Sequence, residues 1–95
     1  MNRIKITFSP KAKQRLEDIT DYLYQQNLSS EFVINYIDKF ESWLENVLGL
    51  FPESGTPMPE YGENIRRVVY QEYSFIYRIK EGDIEILTIY RENLP

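Results

Sequence analysis

The chain has no histidine and no cysteine, and only one tryptophan and four glycines in 95 residues. Without cysteine there is no disulfide, no thiol nucleophile and no thiolate metal site. Without histidine the usual catalytic triad and the ordinary zinc site are excluded as well. Acid–base chemistry would fall to carboxylates, lysine, tyrosine or arginine. No run approaches the roughly 18 apolar residues of a membrane span. The N-terminal MNRIKITF lacks the apolar core and cleavage site of a signal peptide, so a cytoplasmic protein of bacterial type is expected. Fifteen acidic against eleven basic residues leave a net charge of −4, which argues against broad attraction to phosphates. No cofactor or metal is implied.

What is present is core-forming material. With 42% hydrophobic and 15% aromatic residues, the chain is too apolar for disorder and suffices for one modest core. A single domain over 1–95 is expected. Residues 3–8 alternate Arg3, Ile4, Lys5, Ile6, Thr7 and Phe8, which predicts a strand with Ile4, Ile6 and Phe8 inward. Ser9-Pro10 reads as a helix N-cap followed by proline at the first helical position. Ala12, Leu16, Ile19 and Leu23 then form one apolar stripe that fades near Gln26-Asn27. Ser29-Ser30 offers a second cap, and Val33, Ile37, Phe40, Leu44 and Val47 form a second stripe. Gly49 is the predicted C-cap of that helix, with Pro52 beyond it. The short connection between the helices predicts an antiparallel hairpin.

Residues 49–64, GLFPESGTPMPEYGEN, hold three prolines and three glycines and read as a loop. Three strand-like runs follow: Ile65–Gln71, Tyr73–Lys80 and Ile84–Tyr90, the last two separated by the turn signal Glu81-Gly82-Asp83. The expected fold class is α+β: an N-terminal strand, an antiparallel helical hairpin, then a three-stranded antiparallel meander. Strict alternation sets Tyr73, Phe75, Tyr77 and Ile79 against Ser74, Ile76, Arg78 and Lys80. It sets Arg66, Val68 and Tyr70 against Ile65, Arg67 and Val69, and Leu87 and Ile89 with Glu85 against Ile84, Ile86, Thr88 and Tyr90. Neither face is purely polar, so alternation alone leaves the helix-covered side open. The structural reading of this stretch is strong, because tyrosines on sheets usually bury their rings and arginines pair with carboxylates. Val68, Val69, Phe75 and Ile76 are expected to pack, and Arg66, Arg67, Arg78, Tyr90 and Arg91 to form the exposed functional set.

The opening FSPKAKQRLEDI, the helical hairpin and NIRRVVYQEYSFIYRIKEGDIEILTIYREN together resemble the RelE/ParE superfamily of toxins from type II toxin–antitoxin systems, which act in plasmid stabilisation or stress. The resemblance covers nearly the whole chain. It implies one of two chemistries. RelE-like members are metal-independent, ribosome-dependent mRNA endoribonucleases; ParE-like members are not nucleases and inhibit DNA gyrase by binding it. Both are neutralised by a partly disordered antitoxin that folds on the toxin, and direct DNA binding by the toxin is not expected. A third possibility is a homologue that has lost activity and only binds its antitoxin.

Carried over residue by residue, the nuclease pattern is incomplete. Its catalytic arginine falls on Ser74, and its two lysines fall near Ile65 and Arg67. Its C-terminal arginine falls near Arg91 or Glu92, and its catalytic tyrosine lies in an extension beyond Pro95. A nuclease here would have to use Arg67, Arg78, Tyr90 and Arg91. The ParE-like branch is therefore favoured, with Arg66, Arg67, Arg78, Tyr90 and Arg91 as target-binding residues: the arginines supply charge and hydrogen bonds, and Tyr90 an amphipathic contact. Because many such toxins are basic and this chain is acidic, its antitoxin is expected to rely more on apolar contacts than on charge.

Overall fold

The Ser9 hydroxyl starts the first helix and also ties it to the sheet. It accepts a hydrogen bond from the Ala12 amide at 3.0 Å and donates one to the Leu87 carbonyl at 2.8 Å. The computed structural model describes residues 4–91; Arg3 and Glu92, named above, lie outside them. Within that span the elements run β1 (Lys5–Phe8), α1 (Pro10–Gln25), α2 (Ser30–Val47), β2 (Thr56–Pro57), a 3-10 turn (Pro59–Tyr61), β3 (Ile65–Tyr70), β4 (Tyr73–Lys80) and β5 (Asp83–Arg91). Pro10 occupies the first turn of α1, where a missing amide hydrogen costs nothing. The helix stops as Asn27 turns to φ 61°, a left-handed conformation asparagine tolerates. Ser29 caps α2 through the Phe32 amide at 3.1 Å. The C-cap of α2 is Leu48, in right-handed helical geometry, rather than Gly49. The Gly49 amide still closes the last turn on the Leu44 and Glu45 carbonyls.

The predicted meander is present inside a larger sheet of order β1-β5-β4-β3-β2. β1 joins β5 in parallel, which makes the sheet mixed, while β3, β4 and β5 pair antiparallel. The segment expected to be only loop contributes β2, paired to β3 through Thr56–Arg67 and Pro57–Arg66. Both meander turns are two residues long, with positive φ at Gln71 and at Gly82, and Asp83 belongs to the strand rather than the turn.

Both helices cover one face. Ala12, Ile19, Leu23, Val33, Phe40 and Leu44 bury themselves against Val68, Tyr73, Phe75, Tyr77, Ile84, Ile86 and Ile89. Phe40 is the hub, fully buried and in edge contact with Tyr36, Tyr70, Tyr73 and Phe75, and Trp43 stacks on Tyr70 at 4.7 Å. The helix-facing residues of β4 are thus Tyr73, Phe75 and Tyr77.

One expectation fails in β5. Strict alternation put Ile89 opposite Ile84 and Ile86, yet all three are buried. The pairing slips between Ile76–Thr88 and Tyr77–Ile86, so Leu87 is an extra residue, a β-bulge. The bulge resets the parity: Ile89 and Arg91 turn to the helices, and Thr88 and Tyr90 to the open face. Its carbonyl is the one that receives the Ser9 hydroxyl. Val69, expected to pack, is 45% exposed.

Candidate functional site

The structure distributes the five predicted residues over two faces of the sheet. On the open face, Arg67 lies opposite Ile76 and its Nε donates to the Ser74 hydroxyl at 3.1 Å. Ser74 is fully buried although it faces away from the helices. It sits between Val69 and Tyr90 in the cross-strand row, so neighbouring side chains close over the small hydroxyl. Arg78 pairs across the strands with Glu85, whose carboxylate lies 4.0 Å from Arg78 and 3.1 Å from Lys80. Tyr90 is exposed beside Ser74. Register adds Lys5 to this face through Asp83. Among the described residues the open face therefore gathers Lys5, Arg67, Arg78 and Lys80 against Asp83 and Glu85 only. It is a locally basic surface on a chain of net charge −4.

Arg91 and Arg66 face the helix side. Arg91 lies opposite Tyr73. Its guanidinium donates to the Tyr22 hydroxyl at 3.3 Å and to Glu72 at 3.2 Å, and stands 5.6 Å from the Tyr22 ring centre. These partners push its pKa further up, the Tyr22 hydrogen bond first and the Glu72 charge next. With Arg15, Ile19, Tyr22, Tyr73, Ile89 and Tyr90 it borders an aromatic groove of about 360 Å³.

Arg66 lies opposite Tyr77 and donates to the carbonyls of Glu53 at 3.0 Å and Gly55 at 2.8 Å. The Tyr77 hydroxyl donates to the Pro52 carbonyl at 2.7 Å and accepts from the Gly55 amide at 3.0 Å. Together they latch the 52–55 loop onto the sheet. A side chain at Gly55 would place its Cβ 2.5 Å from the Tyr77 hydroxyl and 2.8 Å from the Arg67 carbonyl, so this position needs glycine for space. Tyr77 and Tyr73 are four residues apart on β4, which separates Arg66 from Arg91 by about 13 Å.

The chemical consequence is plain. Cleavage of RNA through its 2′-hydroxyl, without histidine, needs several cations within hydrogen-bond reach of one phosphate. Here Arg67 and Arg78 lie on the open face and Arg91 on the helix side. Among the described residues no group of histidine, cysteine, aspartate or glutamate is placed to hold a metal.

A profile described as the ParE toxin of the type II toxin–antitoxin system parDE matches residues 6–93. The chain belongs to the ParE toxin family. Its fold is similar to a chain of the chromosomal ParDE toxin–antitoxin system of P. aeruginosa, with a TM-score of 0.75 at 20% identity, covering 96% of this chain and 98% of that one. It is also similar to a chain of the RelBE2 toxin–antitoxin complex of Mycobacterium tuberculosis, with a TM-score of 0.64 at 16% identity over 97% and 94%. No curated protein matches the sequence. Among the described residues of this ParE-family chain, no helix is long and apolar enough to cross a membrane.

Sequence reasoning missed three members of the ParE-family chain's polar surface. Lys80 and Glu85 were legible as strand residues, but their cross-strand contact depends on the register. Tyr22 lies outside the apolar stripe of α1 and carries no signal of its meeting with Arg91, because that meeting exists only through the bulge at Leu87.

Proposed function

We propose that this ParE-family toxin arrests growth by binding DNA gyrase, and that an antitoxin neutralises it. What carries the reading is the ParE-family match over residues 6–93. Arg91, turned to the helix side away from Arg67 and Arg78, adds that the residues a nuclease here would use do not converge on one site. The family match supplies the class of toxin, and the resemblance to ParE-like members supplies gyrase as the target. The open face provides Arg67, Arg78 and Tyr90 as contacts, with cations and an exposed aromatic side by side, as in protein interfaces. Arg91, at the end of β5, extends the surface around the edge toward Tyr22.

Ser74 gives a second argument against the ribosome-dependent nuclease. The position at which such nucleases carry an arginine holds a hydroxyl that the Arg67 guanidinium already engages. The test is controlled expression in growing bacteria without the antitoxin. Chromosomal double-strand breaks should accumulate while amino-acid incorporation continues. Prompt loss of incorporation with cleaved mRNA would reject the gyrase reading in favour of the nuclease.

A further inference from the structure

Arg91 reaches its place by a route that none of the other predicted arginines shares. The bulge at Leu87 turns it off the open face and sets it opposite Tyr73, at the rim of the aromatic groove. Two residues from elsewhere in the chain then meet it. Tyr22 comes from α1 and accepts from the Arg91 Nη1 at 3.3 Å, with its ring centre 5.6 Å from the guanidinium carbon. Glu72 comes from the tight turn between β3 and β4, where Gln71 takes φ 57°, and accepts from Nη2 at 3.2 Å. Packing does not account for either partner. Tyr22 is 43% exposed and lies outside the buried stripe of α1, and the Glu72 side chain is 66% exposed. An ion pair this open to water contributes little to stability, so the cluster is poorly explained as a fastening of the fold.

What the cluster does fix is the direction of one cation. A guanidinium carries five N–H donors in a planar fork. Tyr22 and Glu72 take one from each terminal nitrogen, and the other donors have no partner among the described residues. The Arg91 side chain is 36% exposed, so those donors stand open to an incoming group. The other arginines differ. The Arg66 Nη1 group bonds two loop carbonyls, and Arg78 stands 4.0 Å from a carboxylate that Lys80 approaches to 3.1 Å. Arg91 is anchored from two elements outside its own strand and still has donors to give.

We propose that Tyr22 and Glu72 are positioning residues for Arg91: they hold its guanidinium at the rim of the groove, aimed at a hydrogen-bond acceptor of the target protein. The inference rests on the gyrase reading above and adds two residues that act through Arg91. A long side chain ordered before association does not have to be ordered during it, which removes part of the entropic cost of binding. The planar fork makes the benefit directional, since its donors meet an acceptor well in one orientation only.

A double-mutant cycle with purified toxin and gyrase tests it. Tyr22→Phe combined with Glu72→Ala should weaken binding about three- to tenfold, the range expected when one rotamer-rich side chain must be ordered on association. In an Arg91→Ala background the same two changes should have no further effect, because no guanidinium is left to hold. Nuclear magnetic relaxation of the Arg91 Nε–H group in the free toxin should report an ordered side chain in the native protein and a mobile one in the double variant. Circular dichroism and the melting temperature should change little, as befits exposed contacts. Equal weakening in both backgrounds overturns the inference, as does undiminished binding of the double variant, or an Arg91 guanidinium as mobile in the native toxin as in the variant. Each of these leaves the gyrase reading standing. Failure of the native toxin to bind gyrase at all overturns both.

Discussion

Removing one oxygen from Tyr77 leaves two backbone groups of the 52–55 loop without a partner, the Pro52 carbonyl and the Gly55 amide. Tyr77→Phe should therefore cost about 1–3 kcal/mol in denaturant unfolding, the usual penalty for stranding buried polar groups. Gly55→Ala attacks the same latch from the other side by crowding, and should cost a similar ~1–3 kcal/mol. The tyrosines also set the response to alkali. Burial, first among the causes, raises the pKa of Tyr36, Tyr73 and Tyr77 above 10.0; the Glu72 charge adds to it at Tyr36, and the Tyr36 charge at Tyr73. The folded state thus holds these protons more tightly than the unfolded chain. The resulting stability is fully present below pH 10.0 and is lost as the pH rises through the folded-state values. Unfolding followed across pH 8–12 should show stability falling above about pH 10. A curve that rises there would contradict these burials.

At the scale of elements, the join between α1 and β5 is held by Ser9 and the bulge at Leu87. Ser9→Ala removes both the helix cap and the bond to the freed Leu87 carbonyl, and should cost about 1–2 kcal/mol by thermal or denaturant unfolding. The cap and the helix stripes were legible in the sequence because N-capping and a 3.6-residue period are local signals. The boundaries of β4 were legible for the same reason. The bulge was not, since an extra residue in one strand shows only against its partner, and it reversed the faces of Ile89, Tyr90 and Arg91. The strand β2 was hidden too, because two residues, one of them a proline, carry no period. The parallel pairing of β1 with β5 joins residues nearly eighty positions apart, and no local pattern announces it. Of the predicted site residues, the chain showed which side chains were polar on a strand; it could not show that the Arg66 Nη1 group bonds the Glu53 and Gly55 carbonyls.

The whole molecule is divided in charge. α2 bears four carboxylates and one lysine, whereas the open sheet face gathers four cations and two carboxylates among the described residues. One acidic chain thus presents an acidic helix and a basic sheet face, and in the proposed account the target meets the sheet. Arg67→Ala and Arg91→Ala should each weaken target binding by about tenfold, the scale of an interface hot spot, and relieve growth arrest while the protein still folds. Unchanged toxicity of both variants at normal expression would remove these arginines from the binding surface.

The most direct measurement is the supercoiling of relaxed plasmid by purified gyrase with the toxin titrated in. The account predicts loss of supercoiling, with cleaved DNA accumulating, and restoration by the antitoxin. Full supercoiling activity at a large molar excess of folded toxin would contradict it.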